Sequence, residues 1–374
     1  MPNKRANGEG TISRRRNGTW AAAVSLPDGR RKFLYARTRE EARRKLVAAI
    51  HALDTGAQAE VSGDTLGEFL DQWLSQVVRP SVRPWTYRGY EVHVRMHLKP
   101  LLGHIPLSRL SALDVQQALN RRSEEGLKPK TIRYIRGTLR AGLNHAVKWG
   151  LIERNPAAVV SIPRVEPYEI RPFTPAEART FLKAISGDRL EALYTVALTM
   201  GLRQGEALGL RWRDVDLELG YLRINKQLQR LDGRSELVEP KTTRSRRQIA
   251  MPKSVTQALQ QHQARQAAER SEAGENWVNL DLVFATTQGK ALDATAISKA
   301  FHLQLDRAGL PQRRFHDLRH SCATLLLVQG VAPRVVMDVL GHSQISMTMN
   351  TYSHVIPELR RSAADRMDDL LNER

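Results

Sequence analysis

His316 and Arg319 stand three residues apart in RRFHDLRHSCATLLLVQG (313–330), where Leu318, Leu325, Leu326 and Val328 give an apolar face at helical spacing and Gly330 is placed to end the helix. On a helix that spacing sets a proton-transfer group beside a fixed cation, both able to reach one phosphate. His316 and His320 are four apart, as zinc-binding histidines are in HExxH. Asp317 stands where that motif has Glu, and Arg319 would put a positive charge beside the metal, so no metal is expected. His320 is then a packed histidine supporting the helix. Upstream, Arg203 follows the apolar helix LEALYTVALTM and a break at Gly201. Glu206, three residues on, can fix its guanidinium through a bidentate pair; the alternative is a purely structural pair at a helix start. Lys241 lies between two strand-like runs in ELVEPKTTRSRRQIAM, in an expected hairpin turn from which it can donate a proton to a leaving oxygen; Lys226 and Lys253 are alternatives.

These groups need elements to carry them. A short helix is expected from Pro333 to Leu340, broken by Gly341 just before His342, and SQISMTMNTYSHV then brings in Tyr352. HDLRH, then LGH, then Tyr352 resembles the C-terminal signature of the tyrosine recombinases, the phage and mobile-element integrases. GLRQGEALGLRW resembles their first arginine motif, and Lys241, after Pro240, matches the turn that carries their lysine. The resemblance implies a set of six: Arg203 and Arg319 on the non-bridging oxygens of one phosphate, His316 for proton transfer and hydrogen bonding, His342 for a further hydrogen bond, Lys241, and Tyr352 as nucleophile. A phenol has a pKa of about 10, so attack at neutral pH needs a base or a cationic surround that favours phenolate. Two arginines, a lysine and two histidines make such a field without cofactor or metal.

Lysine and arginine outnumber acids by 58 − 39 = 19 in 374 residues, with a pI near 10.5. That excess points to a polyanion: nucleic acid first, an anionic membrane surface as rival. No apolar run approaches the roughly 20 residues that span a bilayer, and no signal-type stretch follows the basic N-terminus. The one cysteine, Cys322, excludes an internal disulfide and any Cys-rich metal site. A cytoplasmic, nucleoid-associated protein is expected.

The chain is expected to be multidomain and mainly α. Residues 1–53 read as a small three-stranded β-sheet plus helix: GTISRRR, TWAAAVSL and RRKFLYA are strands, Asn17-Gly18 and Asp28-Gly29 turns, and Thr38 with Glu41 opens a helix. Within 1–50, thirteen Lys or Arg face four acids. This part resembles the arm-DNA-binding domain of integrases, with Arg14, Arg15, Arg16, Trp20, Arg30, Arg31 and Lys32 as candidate contacts. Residues 54–63 read as a linker. Residues 64–155 read as helices, opened at Thr65, Pro84, Ser111 and Pro129, and resemble the helical core-binding domain; Lys128, Lys130, Arg133, Arg136 and Arg140 are candidate phosphate contacts. Residues 156–172, with prolines at 156, 163, 167 and 172, read as a stiff tether. Residues 173–374 read as an α-rich catalytic domain with a small β-sheet at about 220–250 and a strand near Leu282–Ala285; Arg244, Arg246 and Arg247 are its candidate backbone-phosphate contacts. Leu359, Ala363, Met367 and Leu370 share a face that can dock on a neighbour or on its own domain.

The resemblance implies a site-specific DNA recombinase that cuts and rejoins through a 3′-phosphotyrosyl bond, on core and arm sites, as a tetramer, with a host DNA-bending protein and an excision factor as possible partners. The rivals are a DNA-binding repressor or architectural protein that keeps the fold without chemistry, and a type IB topoisomerase. Only a strand-exchange enzyme calls for both the six residues and a separate arm-binding domain.

Overall fold

The computed structural model describes residues 10–15, 18–25, 31–54, 65–166, 168–240 and 245–341, with positions 364, 367, 368 and 371 of the C-terminal segment, in two compact units, Met1–Pro167 and Tyr168–Arg374. In the first unit, β1 (Thr11–Arg14), β2 (Trp20–Ser25) and β3 (Arg31–Ala36) form an antiparallel sheet in the order β1-β2-β3. Strand alternation decides which side chains meet α1 (Arg39–Asp54). Ile12, Trp20, Ala22, Val24, Leu34 and Ala36 share the side that packs on Ala42 and Leu46. Thr38 Oγ1 accepts from the Glu41 N–H at 3.2 Å, and the Glu41 carboxylate accepts from the Arg37 N–H at 3.1 Å, which closes the start of α1.

The register corrects one expected DNA contact. Trp20 is half-buried on the helix side, with the Arg39 guanidinium 5.9 Å from its ring, and Arg14 pairs with it across the ladder on that same side. The open face instead carries Phe33 and Tyr35, 54% and 51% exposed, and the Arg15 guanidinium lies 4.8 Å over the Tyr35 ring. Arg31 is exposed on the same sheet. Arg16, Asn17, Asp28, Gly29 and Arg30 lie outside the described residues.

The helical part of this unit starts at each expected signal. α2 (Leu66–Trp73) opens on a Thr65/Glu68 capping box and continues through a π-helical turn, Leu74–Val78, to Ser81. α3 (Pro84–Val92) passes through a second such turn, His93–Leu98, into Lys99–Leu102. α4 (Ala112–Glu124) opens on a Ser111/Asp114 box, and α5 (Pro129–Lys148) on its proline. Leu66, Leu70, Trp73, Ile132, Leu139 and Leu143 fill the core between them.

In the second unit α6 (Pro175–Ala184) opens on a Thr174/Glu177 box. α7 (Glu191–Met200) is buried almost all round, and α8 (Gln204–Leu208) follows it closely. β4 (Val215–Asp216), β5 (Tyr221–Ile224) and β8 (Arg247–Ala250) make one antiparallel sheet, while β6 (Gln227–Leu231) and β7 (Arg234–Val238) form a separate hairpin. α9 (Lys253–Ala273), α10 (Ala294–Arg307), α11 (Asp317–Val328) and α12 (Pro333–Leu340) complete the described elements.

Four expectations change. β7 pairs with β6 and β8 with β5, so β7 and β8 are not the two arms of one hairpin; Lys241, between them in sequence, lies outside the described residues. The segment Leu282–Ala285 is buried but makes only single bridges, Arg211 with Leu282 and Ala285 with Ala291, so no ladder forms there. On α11, Leu327 is buried and Val328 is 42% exposed, because the helix is covered by both α7 and α12 and its apolar face follows those contacts. The proline-rich tether is anchored at both ends. Ala157 and Val160 enter the helical core, whereas in the second unit the Tyr168 hydroxyl donates to Asp317 at 2.6 Å and the Phe173 N–H donates to Ser321 Oγ at 2.8 Å.

α8 lies hard against β6. A Cβ on Gly209 would come within 2.5 Å of the Leu228 nitrogen, and one on Gly205 within 2.9 Å of the Leu228 carbonyl oxygen. Gly209→Ala is therefore expected to destabilise the second unit by about 1–3 kcal/mol, since backbone would have to move. Gly137→Ala, in a helix where the added Cβ meets nothing within 4 Å, should stabilise by about 0.5–1 kcal/mol. Urea unfolding followed by tryptophan fluorescence measures both; equal midpoints for the two variants would refute the close-packing account.

Candidate active site

α7 is stopped by Gly201 in the left-handed conformation, φ 62°. A side chain there is excluded twice over, because a Cβ would sit 2.5 Å from Leu340 Cδ2 and 3.2 Å from Cys322 Sγ. Leu202 is buried, and Arg203 comes next in extended conformation at the head of α8. Its Nη1 donates to Glu206 Oε1 at 2.6 Å, its backbone N–H donates to Glu206 Oε2 at 3.0 Å, and its Nη2 reaches the Gly341 carbonyl at 3.4 Å. The Arg203 side chain remains 35% exposed, whereas that of Glu206 is 1% exposed.

Burial works to raise the Glu206 pKa, and the charges and hydrogen bonds of Arg247 and then Arg203 more than reverse it, holding the carboxyl below its usual range. Arg247 Nη2 lies 3.0 Å from Glu206 Oε2, and its Nε donates to the Val339 carbonyl at 2.7 Å. Arg247 is thus a buried structural cation and not the backbone-phosphate contact expected from its basic neighbours. It pairs across the ladder with Ile224 on the core side of the sheet.

Arg319 is 2% exposed. Its Nη1 donates to the Gly201 carbonyl and its Nη2 to the Leu340 carbonyl, both at 2.7 Å. Three guanidinium groups from three segments therefore converge on three successive carbonyls, Val339, Leu340 and Gly341, at the end of α12. Those are the groups a helix leaves unpaired, at its negative end.

His316 occupies the N-cap position of α11 as an exposed residue whose side chain makes no capping hydrogen bond. Its pKa is lowered by desolvation first, then by the charge of Arg319, with Arg203 adding to it. His320 packs edge-on against it, ring centroids 5.1 Å apart, and burial takes its pKa down to about 4. Asp317 accepts from the Tyr168 hydroxyl and from the Arg314 N–H at 2.9 Å. No group of three His, Cys, Asp or Glu able to hold a metal occurs among the described residues. Cys322 donates to the Thr199 carbonyl at 3.3 Å, and burial pushes its thiol up to about 12.

A profile described as the phage integrase family matches residues 172–358, and one described as the phage integrase N-terminal SAM-like domain matches residues 65–122. The chain belongs to the phage integrase family of tyrosine recombinases. It is 34% identical to a XerC-like tyrosine recombinase of Caldanaerobacter subterraneus, over 91% of this chain and 92% of that one. Its fold is similar to that of the Tn1549 transposon integrase in complex with a circular intermediate DNA, with TM-score 0.69 and 26% identity over 81% of this chain and 99% of that one. It is also similar to lambda integrase in a tetramer bound to a Holliday junction, with TM-score 0.58 and 20% identity over 93% and 96%. The chain is a site-specific recombinase by this membership.

Of the six residues that resemble the family's catalytic set, the structure brings together Arg203, Arg319 and His316; Lys241, His342 and Tyr352 lie outside the described residues, as do Arg244, Leu359, Ala363 and Leu370. Arg246 is exposed and pairs with Glu239 at 2.6 Å. Lys128, Lys130, Arg133 and Arg140 are exposed on or beside α5. Arg136 instead donates to the Ala157 and Ala158 carbonyls, at 3.1 and 2.8 Å, and so ties α5 to the following turn.

The histidine shifts carry a sign. A folded-state pKa of about 4 for His320 against about 6.5 unfolded means that the unfolded chain binds the proton more readily, so stability is full above pH 6.5 and falls as pH drops toward 4. His320→Gln should reduce the loss in thermal midpoint between pH 7.5 and 5.0. An unchanged loss would mean that His320 is not held neutral by the fold.

Proposed function

We propose that the chain is the integrase of a phage or other integrative mobile element. Tyr352 Oη attacks a phosphodiester phosphorus, forming a 3′-phosphotyrosyl bond and expelling a 5′-hydroxyl. Arg203 and Arg319 stabilise the non-bridging oxygens, His316 takes the phenolic proton and hydrogen-bonds to the phosphate, His342 adds a further hydrogen bond, and Lys241 delivers a proton to the leaving 5′-oxygen. The reverse attack by a 5′-hydroxyl from another duplex rejoins the strands. One ester is exchanged for another, so neither ATP hydrolysis nor a metal is called for. The observation that carries this reading is the convergence of Arg203 and Arg319 on the Gly341 and Leu340 carbonyls at the end of α12, with His316 at the start of the helix that carries Arg319.

Residues 1–53 would bind arm sites, 64–155 would clamp the core site, and 173–374 would cleave it, with 54–63 and 156–172 as connections. On the open face of the sheet, Phe33 and Tyr35 join Arg15 and Arg31 as candidate contacts to a DNA groove. Assembly as a tetramer on DNA, a host bending protein and an excision factor follow from the family likeness. A bacterial cytoplasm, at the nucleoid, fits a DNA substrate, and no helix among the described residues is long and apolar enough to cross a membrane.

The direct test is a core-site duplex nicked beside the crossover, which traps covalent protein on a denaturing gel. Wild type should give the adduct and Tyr352→Phe none; an adduct that persists in the variant removes Tyr352 from the mechanism. Deleting residues 1–53 should abolish arm-site binding while weak core cleavage remains, and undiminished arm affinity would defeat the domain reading. DNA affinity should fall by about 10³-fold or more between 50 and 200 mM salt if six or more phosphates are contacted. A flat response would count against it.

A further inference from the structure

We infer that Arg247 is a positioning residue for strand cleavage, holding Glu206, and through it Arg203, in register with the end of α12. The inference rests on the reading of Arg203 as a phosphate ligand. The Arg247 side chain is 7% exposed and the Glu206 side chain 1%. Arg247 Nη1 donates to Glu206 Oε1 at 3.3 Å and to the Ser245 carbonyl at 3.1 Å, Nη2 donates to Glu206 Oε2 at 3.0 Å, and Nε donates to the Val339 carbonyl at 2.7 Å. Four of the five N–H groups of a guanidinium are thereby engaged inside the protein. No edge is left to lay on DNA.

Charge gives this arrangement a purpose. Glu206 alone would neutralise Arg203 and blunt its attraction for a phosphate. With Arg247 sharing the same carboxylate, two cations face one anion, and the residual positive charge belongs to the more exposed member, Arg203. Geometry adds to this, since the planar fork spans Glu206 and the Val339 carbonyl at once, joining the head of α8 to the tail of α12. A lysine could reach one partner but not hold both in that plane.

The test uses the full chain and the nicked core-site duplex at saturating concentration, with the single-turnover rate of adduct formation and the DNA Kd measured separately. Arg247→Gln should slow adduct formation about 10- to 100-fold, as a misplaced clamp does, while the Kd stays within about 3-fold of wild type. Arg247→Lys should fall nearly as far. The double variant Glu206→Gln/Arg247→Gln should be no slower than the slower single variant, because the two residues act as one unit.

A wild-type rate for Arg247→Gln, a loss confined to Kd, full rescue by lysine, or multiplicative losses in the double variant would each overturn the inference. Should Arg247→Gln not fold, Glu206→Gln/Arg247→Met, which removes both buried charges together, replaces it: slow cleavage with DNA bound supports the inference, and wild-type cleavage ends it. Arg203→Ala separates the two levels. If it cleaves at full rate, the phosphate reading falls and this inference with it; if it is slow while Arg247→Gln is normal, the inference alone fails.

Discussion

A helix that ends inside a protein must find donors for its last carbonyl groups, and α12 finds them in arginines. Val339, Leu340 and Gly341 are each met by a guanidinium, from β8, α11 and the head of α8 respectively. Water could do the same work at a surface. Here charged donors are used, and their mutual repulsion requires a carboxylate among them, which Glu206 supplies from a position closed to solvent. Removing it would leave buried cations uncompensated. The rest of the unit is arranged so that these four side chains arrive together. Gly201 turns the chain sharply after α7, Gly205 and Gly209 let α8 lie on β6, and the anchoring of 168–173 on α11 fixes the helix that brings Arg319.

Much of this was legible beforehand because it is local. Thr65 with Glu68, Ser111 with Asp114 and Thr174 with Glu177 announce helix starts three residues in advance, and each forms the expected pair of hydrogen bonds. Gly201 and Gly341 mark helix ends for the same reason. The pairing of Arg203 with Glu206 also lies within one turn.

What stayed hidden depends on partners far along the chain. Arg247 looked like one more basic residue in a basic run, although strand alternation in RQIA puts it on the side of the buried Ile249, and that clue was available. Trp20 looked like a surface aromatic until the register with β1 and β3 placed it against α1. Leu282–Ala285 has the composition of a strand, but its pairing with the segment at Arg211 and with Ala291 stops at single bridges. The proline-rich segment reads as a spacer, yet Ala157 and Val160 have a core to enter, and Tyr168 meets Asp317, 149 positions away.

Cys322 sits under Gly201 with its thiol shut away from solvent and strongly disfavoured as thiolate. Nucleophilic chemistry at sulfur needs the ionised form, so alkylating and oxidising reagents should pass this residue by while the protein is folded. A cysteine introduced on the exposed surface of α5 or on the open face of β3 would then react selectively against an intact background. The chain comes ready for single-site fluorophore or spin-label attachment, with no native thiol to be engineered away beside the arginine cluster.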